Sequence, residues 1–358
     1  MKSNRITFLV GNMTSPTSLS SYFSQVDVDE PAVQRTAAGT LLSLVAAGLD
    51  RLPLPGQGAT YLRWQCLARV AAHDLSLAKL YEGHTDALAI LAELRAPIAK
   101  DNTAWGVWCA EVPHARVQVR AENEQTGIAH LAAVRLDGTK AWCSGAADLQ
   151  HALLSACSAA GDSYLVAVDL SAPGVSIDAS QWAAIGMADS ASLDVAFDDV
   201  PGVVVGSAGA YLARAGFWQG GAGVAACWYG AAAAIAHSVR GPLARTADPH
   251  FLAHLGAIEV ALRGAGATLR RLADMIDGNP QGVAVAPVLQ ARLQVEEAAT
   301  AVMTHAGRAL GAAPFCRDKA FARRMADLPI FVRQSHAERD LAFLGTHILE
   351  GASTPWTL

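Results

Sequence analysis

Near the C-terminus, the run "RQSHAERD" (333–340) concentrates ionisable side chains in a chain that is only 16% charged. Its apolar flanks continue a helical period, so the spacing predicts helix through the whole run. On a helix, His336 and Asp340 lie four apart and share a face. A carboxylate there could orient the imidazole and raise its basicity. A histidine is then a reasonable proton acceptor near neutral pH. Glu338 is an alternative base on a different helical face, and Ser335 is a candidate hydroxyl contact. The plain structural reading is an ion-pair network of Arg333, Glu338, Arg339 and Asp340 at a subunit interface.

Three other stretches could carry chemistry. In "DGTKAWCSGAADLQ" (137–150), "DG" predicts a tight turn, and a short strand carries Trp142 to Ser144. Trp142 is either ordinary core or a ring stacked on a flat cofactor. In the second case the Ser144 hydroxyl or backbone would donate a hydrogen bond, and the small residues after it would admit a ligand close to the chain. In "GFWQGGAGVAACWYG" (216–230), Gly220, Gly221 and Gly223 each cost a helix about 1 kcal/mol relative to alanine. They predict a bend, a close crossing or a ligand. In "THAGRALGAAPFCRD" (304–318), Gly307 and Gly311 read as capping and close packing, or as room for cofactor phosphates. His305 borders the face of Val295, Ala298, Val302 and Ala309, which favours a satisfied core histidine.

The elements that must position these residues follow a simple order. Residues 1–102 read as a helical domain, with "PAVQRTAAGTLLSLVAAGL" and "TYLRWQCLARVAAHDLSLAKLYEGHTDALAILAEL" as helices and Asp74 as an N-cap inside the second. Residues 103–205 hold seven short, often alternating segments that read as a small antiparallel β domain. Residues 206–358 hold four segments long enough for bundle helices. The prediction is an α+β fold, mostly α, with a helical domain, a β domain and a four-helix bundle. No glycine-rich fingerprint follows an early strand, which excludes a doubly wound dinucleotide fold.

Totals narrow the classes further. A 358-residue chain that is 52% hydrophobic can bury a large core in two or three domains. A net charge of -5 without any basic run argues against nucleic-acid binding. Six scattered cysteines without a C-x-x-C pair read as reduced thiols, neither a disulfide framework nor a metal site, which points to a cytoplasmic protein. The longest apolar run, 224–236, is shorter than the ~20 residues of a membrane span and predicts a buried helix.

Taken together, these residues resemble the acyl-CoA dehydrogenase superfamily over nearly the whole chain. The motifs are "TKAWCSGA", "GMADSASLDVAFDDVPGVVVG", "WGVWCAEV" and "HAGRALG", in that family's domain order. The resemblance implies noncovalent FAD between the β domain and the bundle. It puts Trp142 and Ser144 against the flavin ring, Cys109 and Ala110 along its pyrimidine side, and Gly307 and Gly311 where the bundle meets the cofactor. It also implies a homodimer or homotetramer in which Arg240 or Arg245 reaches a neighbour's pyrophosphate, and an electron-transfer partner. The implied activity is α,β-dehydrogenation of an acyl thioester such as acyl-CoA, or of a related activated acyl compound, with hydride transfer to flavin N5. The sequence departs from the family at its catalytic glutamate. One of its two customary positions falls on Gly220 and Gly221, and the other on Ser335 or His336. "AEVPHARV" replaces the usual pyrophosphate loop, and the N-terminal domain is short. The base expected for dehydrogenation is therefore His336 oriented by Asp340, with Ser335 and Glu338 as alternatives. Two other readings stay open: a flavin monooxygenase of the same fold, which needs no such base, and a non-catalytic structural or regulatory paralogue.

Overall fold

A computed structural model describes residues 13–29, 36–123, 125, 127–240, 248–282, 285–351 and 356. The N-terminal helices are α1 (Pro16–Asp29), α2 (Ala37–Ala46), α3 (Thr60–His73) and α4 (Leu75–Glu93). Asp74 separates the last two as the sequence predicts. Its extended backbone ends α3, and its carboxylate accepts the Leu77 N–H of α4 at 2.7 Å.

Seven strands follow: β1 (Trp105–Trp108), β2 (Val117–Ala121), β3 (Ala133–Cys143), β4 (His151–Cys157), β5 (Ser163–Asp169), β6 (Val175–Asp178) and β7 (Leu193–Val205). β4, β2, β3, β7 and β5 pair in sequence, and β5 returns to β4, so the sheet closes on itself. Closure leaves few open edges. β6 adds to β7, and β1 adds to β4. Most pairings are antiparallel, but β1 and β2 both meet β4 in parallel. The expected tight turn at Asp137–Gly138 is instead a bulge within the long β3. Gly138 takes φ +120, and any Cβ there would collide with the Arg116 carbonyl just before β2.

The C-terminal region contains α5 (Ala210–Ala213), α6 (Gly216–Val239), α7 (Pro249–Gly278), α8 (Val285–Leu310), α9 (Ala313–Arg317), α10 (Lys319–Phe331) and α11 (Glu338–Leu349). The predicted last long helix is thus broken. α10 contains Pro329, passes into a 3-10 turn at Val332–Gln334, and the chain restarts as α11 beyond Ala337. Proline removes one helical donor and crowds the preceding turn. "RQSHAERD" therefore straddles a helix break.

α6 is the central helix. It is long and apolar enough to cross a membrane, but 67% of its apolar window is buried inside the protein. It packs against α3 and α8, with Trp228, Ala225, Ala231 and Ile235 fully buried. Gly230 is placed where a Cβ would drive into the Ala68 carbonyl of α3. That absence of a side chain sets the α3–α6 spacing. G230A should therefore lower the unfolding free energy by ~2–4 kcal/mol in a denaturant titration. G256A on α7, where no other atom lies within 4 Å of the added Cβ, should instead leave it unchanged or raise it by ~0.5–1 kcal/mol.

Candidate functional site

The site begins at the end of β1. Cys109 is half-buried and Ala110 is exposed. Burial pushes the Cys109 thiol up to about 11, and Tyr211 of α5 hydrogen-bonds to it. It is a neutral thiol at physiological pH, suited to lining a site rather than to nucleophilic attack. The next residue is fixed by Lys140 of β3. The Lys140 ammonium is fully enclosed and donates to Glu111 Oε1 at 3.0 Å, to the Ser155 carbonyl at 3.1 Å and to Ser155 Oγ at 2.7 Å. The Ser155 hydroxyl also donates to Glu111. This network anchors the chain directly after Cys109 and Ala110 to two strands.

Trp142 lies at the second bulge of β3, between Lys140 and Cys143. Its backbone is left-handed, φ +63, which is unfavourable for a bulky residue. Its ring is 60% exposed, so it is not the core residue that one sequence reading allowed. Ser144 is buried beside it. Its Oγ lies 2.7 Å from Ser192 Oγ, and its carbonyl accepts Trp108 Nε1–H at 3.1 Å. Trp108 thus ties the Trp142 segment to β1, and the Cys109 and Trp142 segments share one framework.

Charged residues line the interior next to this framework, and the sequence reading did not single them out. On α4, Glu82 and Asp86 lie one turn apart and are both buried. Arg214, also buried, is 3.6 Å from Asp86 Oδ2 and 3.1 Å from Glu93 Oε2. Glu93 Oε1 accepts the Gly216 N–H at 3.0 Å, so the same carboxylate holds the start of α6. Asp86 Oδ1 is buried without a partner and faces the missing side chain of Gly220. Arg292 of α8 stacks 5.0 Å from the Trp228 ring. It donates to the Gly221 carbonyl, and to the Gln334 carbonyl at 3.1 Å. The available sequence signal was the pair of acids four apart, Glu82 and Asp86, within the long helix α4. Gly220 and Gly221 are where α6 admits these groups against its backbone.

The break between α10 and α11 carries the remaining candidates. Ser335 is buried and its Oγ accepts the Ala337 N–H at 3.2 Å. His336 is 63% exposed, and its Nδ1 lies 3.7 Å from Asp340 Oδ1. That is beyond hydrogen-bond range, so Asp340 does not orient the imidazole as the helical spacing suggested. Asp340 is buried and its charge acts on Arg292. Glu338 is exposed in the first turn of α11. Arg333 pairs with Glu296 of α8 at 2.9 Å, within the chain.

The other candidates lie elsewhere. Gly307 packs on Phe315, whose Cζ would be 3.5 Å from an added Cβ. Gly311 has φ +63 just beyond Leu310, the position at which a left-handed glycine ends a helix. His305 is half-buried with its Nδ1 2.9 Å from His254 Nδ1, so it is paired across α7 and α8. Arg240 is exposed at the end of α6. Arg245 lies outside the described residues. Among the described residues no hydrogen bond or ion pair links Trp142, Ser144 or Cys109 to Ser335 or His336.

The buried acids make a pH prediction. Burial, the largest cause, raises Glu82 from 4.5 to about 7, and Asp86 adds to the rise. Because the folded-state value is raised, the neutral carboxyl is the form the fold favours. Its contribution is complete below about 4.5 and is lost as pH rises through about 7. E82Q cannot ionise. Its stability relative to wild type should rise by ~1–3 kcal/mol between about pH 4 and about pH 8, measured by urea unfolding across pH.

No family model matches the chain, and no curated protein matches it. Solved structures do. The crystal structure of TdsC from Paenibacillus sp. A11-2 with FMN and indole has a TM-score of 0.77 and 18% identity, covering 95% of this chain and 97% of that one. KijD3 with FMN and a dTDP-linked amino sugar has a TM-score of 0.76 and 18% identity, covering 95% and 94%. Methanesulfinate monooxygenase MsuC from Pseudomonas fluorescens has a TM-score of 0.75 and 19% identity, covering 95% and 97%. TdsC is itself a dibenzothiophene monooxygenase. These findings overturn two expectations from the sequence. Where a flavin is present in these structures it is FMN, in place of the FAD expected here, and the named activities are monooxygenations, in place of acyl-thioester dehydrogenation. The chain has the mixed α+β fold of the flavin-binding, acyl-CoA dehydrogenase-like enzymes, with a central β domain between helical regions.

Proposed function

We propose that this protein is a flavin-dependent monooxygenase that uses FMN supplied in reduced form by a separate reductase. The observation that carries the reading is Trp142, a large ring held exposed by a strained backbone at the edge of the β domain. Such strain persists where surrounding structure enforces it, and it clusters at binding sites. Fold likeness over 95% of the chain to FMN complexes supports the cofactor.

The residues present fit a flat flavin ring. Trp142 offers an apolar face for stacking. Exposed Ala110 leaves room along an edge, and the neutral Cys109 thiol adds no charge. Ser144 retains hydrogen-bonding capacity beyond its contact with Ser192. The Lys140–Glu111–Ser155 network keeps this wall rigid. Held there, reduced FMN would supply the two electrons by which one atom of O2 enters the substrate and the other leaves as water. His336 is the proposed proton carrier at the solvent side, acting through its imidazole nitrogens. Ser335 and Asp340 are positioning residues for that loop, and Glu338 has no assigned role. The substrate is a small organic molecule. The proteins of similar fold are bound to or act on chemically unlike compounds, so their fold does not select one. A closed homo-oligomer is part of this reading, with Arg240 available to a neighbour and Val260 of α7 exposed for burial.

Titration with FMN, oxidised and then reduced without oxygen, tests the reading through tryptophan fluorescence and thermal melting. Wild type should bind, and W142A should bind ~10-fold or more weakly, equivalent to about 1.4 kcal/mol. Absence of binding in both redox states, with no change in melting temperature, would falsify the assignment. In air, with a reductase and a panel including indole and methanesulfinate, oxygen isotope from labelled O2 should appear in an organic product.

A further inference from the structure

A concave surface lies on the opposite side of α6 from Gly221 and Arg292. It is a groove of ≈ 710 Å³ between α3 and α6, bounded by Pro16 and Arg324, and none of the flavin-site candidates lines it. The volume is in the usual range for small-molecule sites, ~300–1,000 Å³. Its floor is alanine and glycine, including Ala68, Ala72, Gly230 and Ala233. These small side chains follow from the close α3–α6 crossing and leave the space open.

Two guanidinium groups face this groove without a carboxylate partner among the described residues. Arg69 makes no ion pair or hydrogen bond among the described residues, and its Nε is buried without a partner. Arg324 makes one hydrogen bond, Nε to the Ala72 carbonyl at 3.3 Å. The acids whose charge reaches Arg324 are Asp318 and Asp74. Both are already engaged. Asp318 caps α10 by accepting the Phe321 N–H at 3.0 Å. Asp74 caps α4 and pairs with Arg323 at 3.1 Å. Buried Arg214, by contrast, pairs with Asp86 and Glu93, and buried Arg63 and Arg292 donate to backbone carbonyls. Arg324 also complements the C-terminal end of α3, which accounts for that residue structurally. It does not account for Arg69, whose desolvated Nε gains nothing from the fold. In a chain of net charge -5, two unneutralised arginines in one groove make a local positive site. Tyr61, at the same groove, receives a hydrogen bond from Arg270 at 3.0 Å, which brings a third guanidinium to the rim.

We propose that this groove binds a small phosphate-bearing ligand, with Arg69 and Arg324 holding the phosphate. Guanidinium forks match phosphate oxygens and keep their charge at any physiological pH. Ser238 and His237 at the same wall offer further polar contacts to the ligand. The site is separate from the proposed flavin site and does not depend on the flavin reading.

Calorimetric titration of the full chain with ADP, inorganic pyrophosphate and uncharged adenosine tests it. Wild type should bind both anions and not adenosine, with affinity falling as salt rises. R69Q should weaken both ~10-fold or more, as expected for loss of a charge-assisted contact. R69Q/R324Q should weaken them further. If that double variant fails to fold, R69Q alone decides, because Arg69 makes no contact that the fold requires. Failure of wild type to bind either anion at low salt, or equal affinity in R69Q, overturns the proposal. The ADP titration is repeated with saturating FMN. Unchanged ADP binding supports a separate site, whereas its abolition by FMN rejects separateness.

Discussion

The guanidinium of Arg292 reaches from α8 to two backbone carbonyls that belong to different parts of the chain. One is Gly221 in α6, and the other is Gln334 at the break between α10 and α11. Its flat face lies over Trp228, and the charges of Asp340, Glu82 and Glu296 surround it. Desolvating an arginine is expensive, and these contacts are what offset it. Removing such a partner from a buried network typically destabilises a protein by ~3–5 kcal/mol. The loop that carries Ser335 and His336 is therefore fixed to the central helix through one side chain. A Cβ added at Gly221 would lie 3.7 Å from Arg292 Nη1, an ordinary contact, so the link rests on the Gly221 carbonyl and not on the missing side chain.

The β domain positions its candidate residues by a different device. Two irregularities in β3 redirect the strand, one near Gly138 and one ending at Cys143. At the first, glycine accommodates both the positive φ and the close Arg116 carbonyl. At the second, Trp142 takes a left-handed conformation that glycine would adopt more easily, and its ring remains exposed. Burial does not explain that choice of residue. The flavin stacking proposed for the ring would, and Lys140 on the same strand holds the neighbouring Glu111 in place.

Much of the fold was legible because it rests on periodicity and local chemistry. The alternating segments of the middle region are the seven strands, and Asp74 ends one helix and starts the next. The break at Val332–Ala337 was not legible, because apolar spacing continues across it while Pro329 and the Arg292 contact interrupt the helix. The tight turn read from Asp137–Gly138 failed for a similar reason. The same dipeptide serves a bulge when the strand continues on both sides. Within the candidate site, sequence drew attention to Trp142, Ser144 and Cys109 but missed Glu82, Asp86, Arg214 and Arg292. Those four come from separate helices, and only tertiary packing brings their charges together. The sequence also did not correct the expectation of FAD, because "AEVPHARV" departs from the pyrophosphate loop of the family it resembles without showing what replaces it.

A crystal structure of the protein with FMN addresses the central claim most directly. The account predicts the isoalloxazine ring stacked on the Trp142 indole, with an edge along Cys109 and Ala110 and a polar contact to Ser144. A flavin bound away from Trp142, or crystals that contain no flavin after growth in saturating FMN, would contradict it.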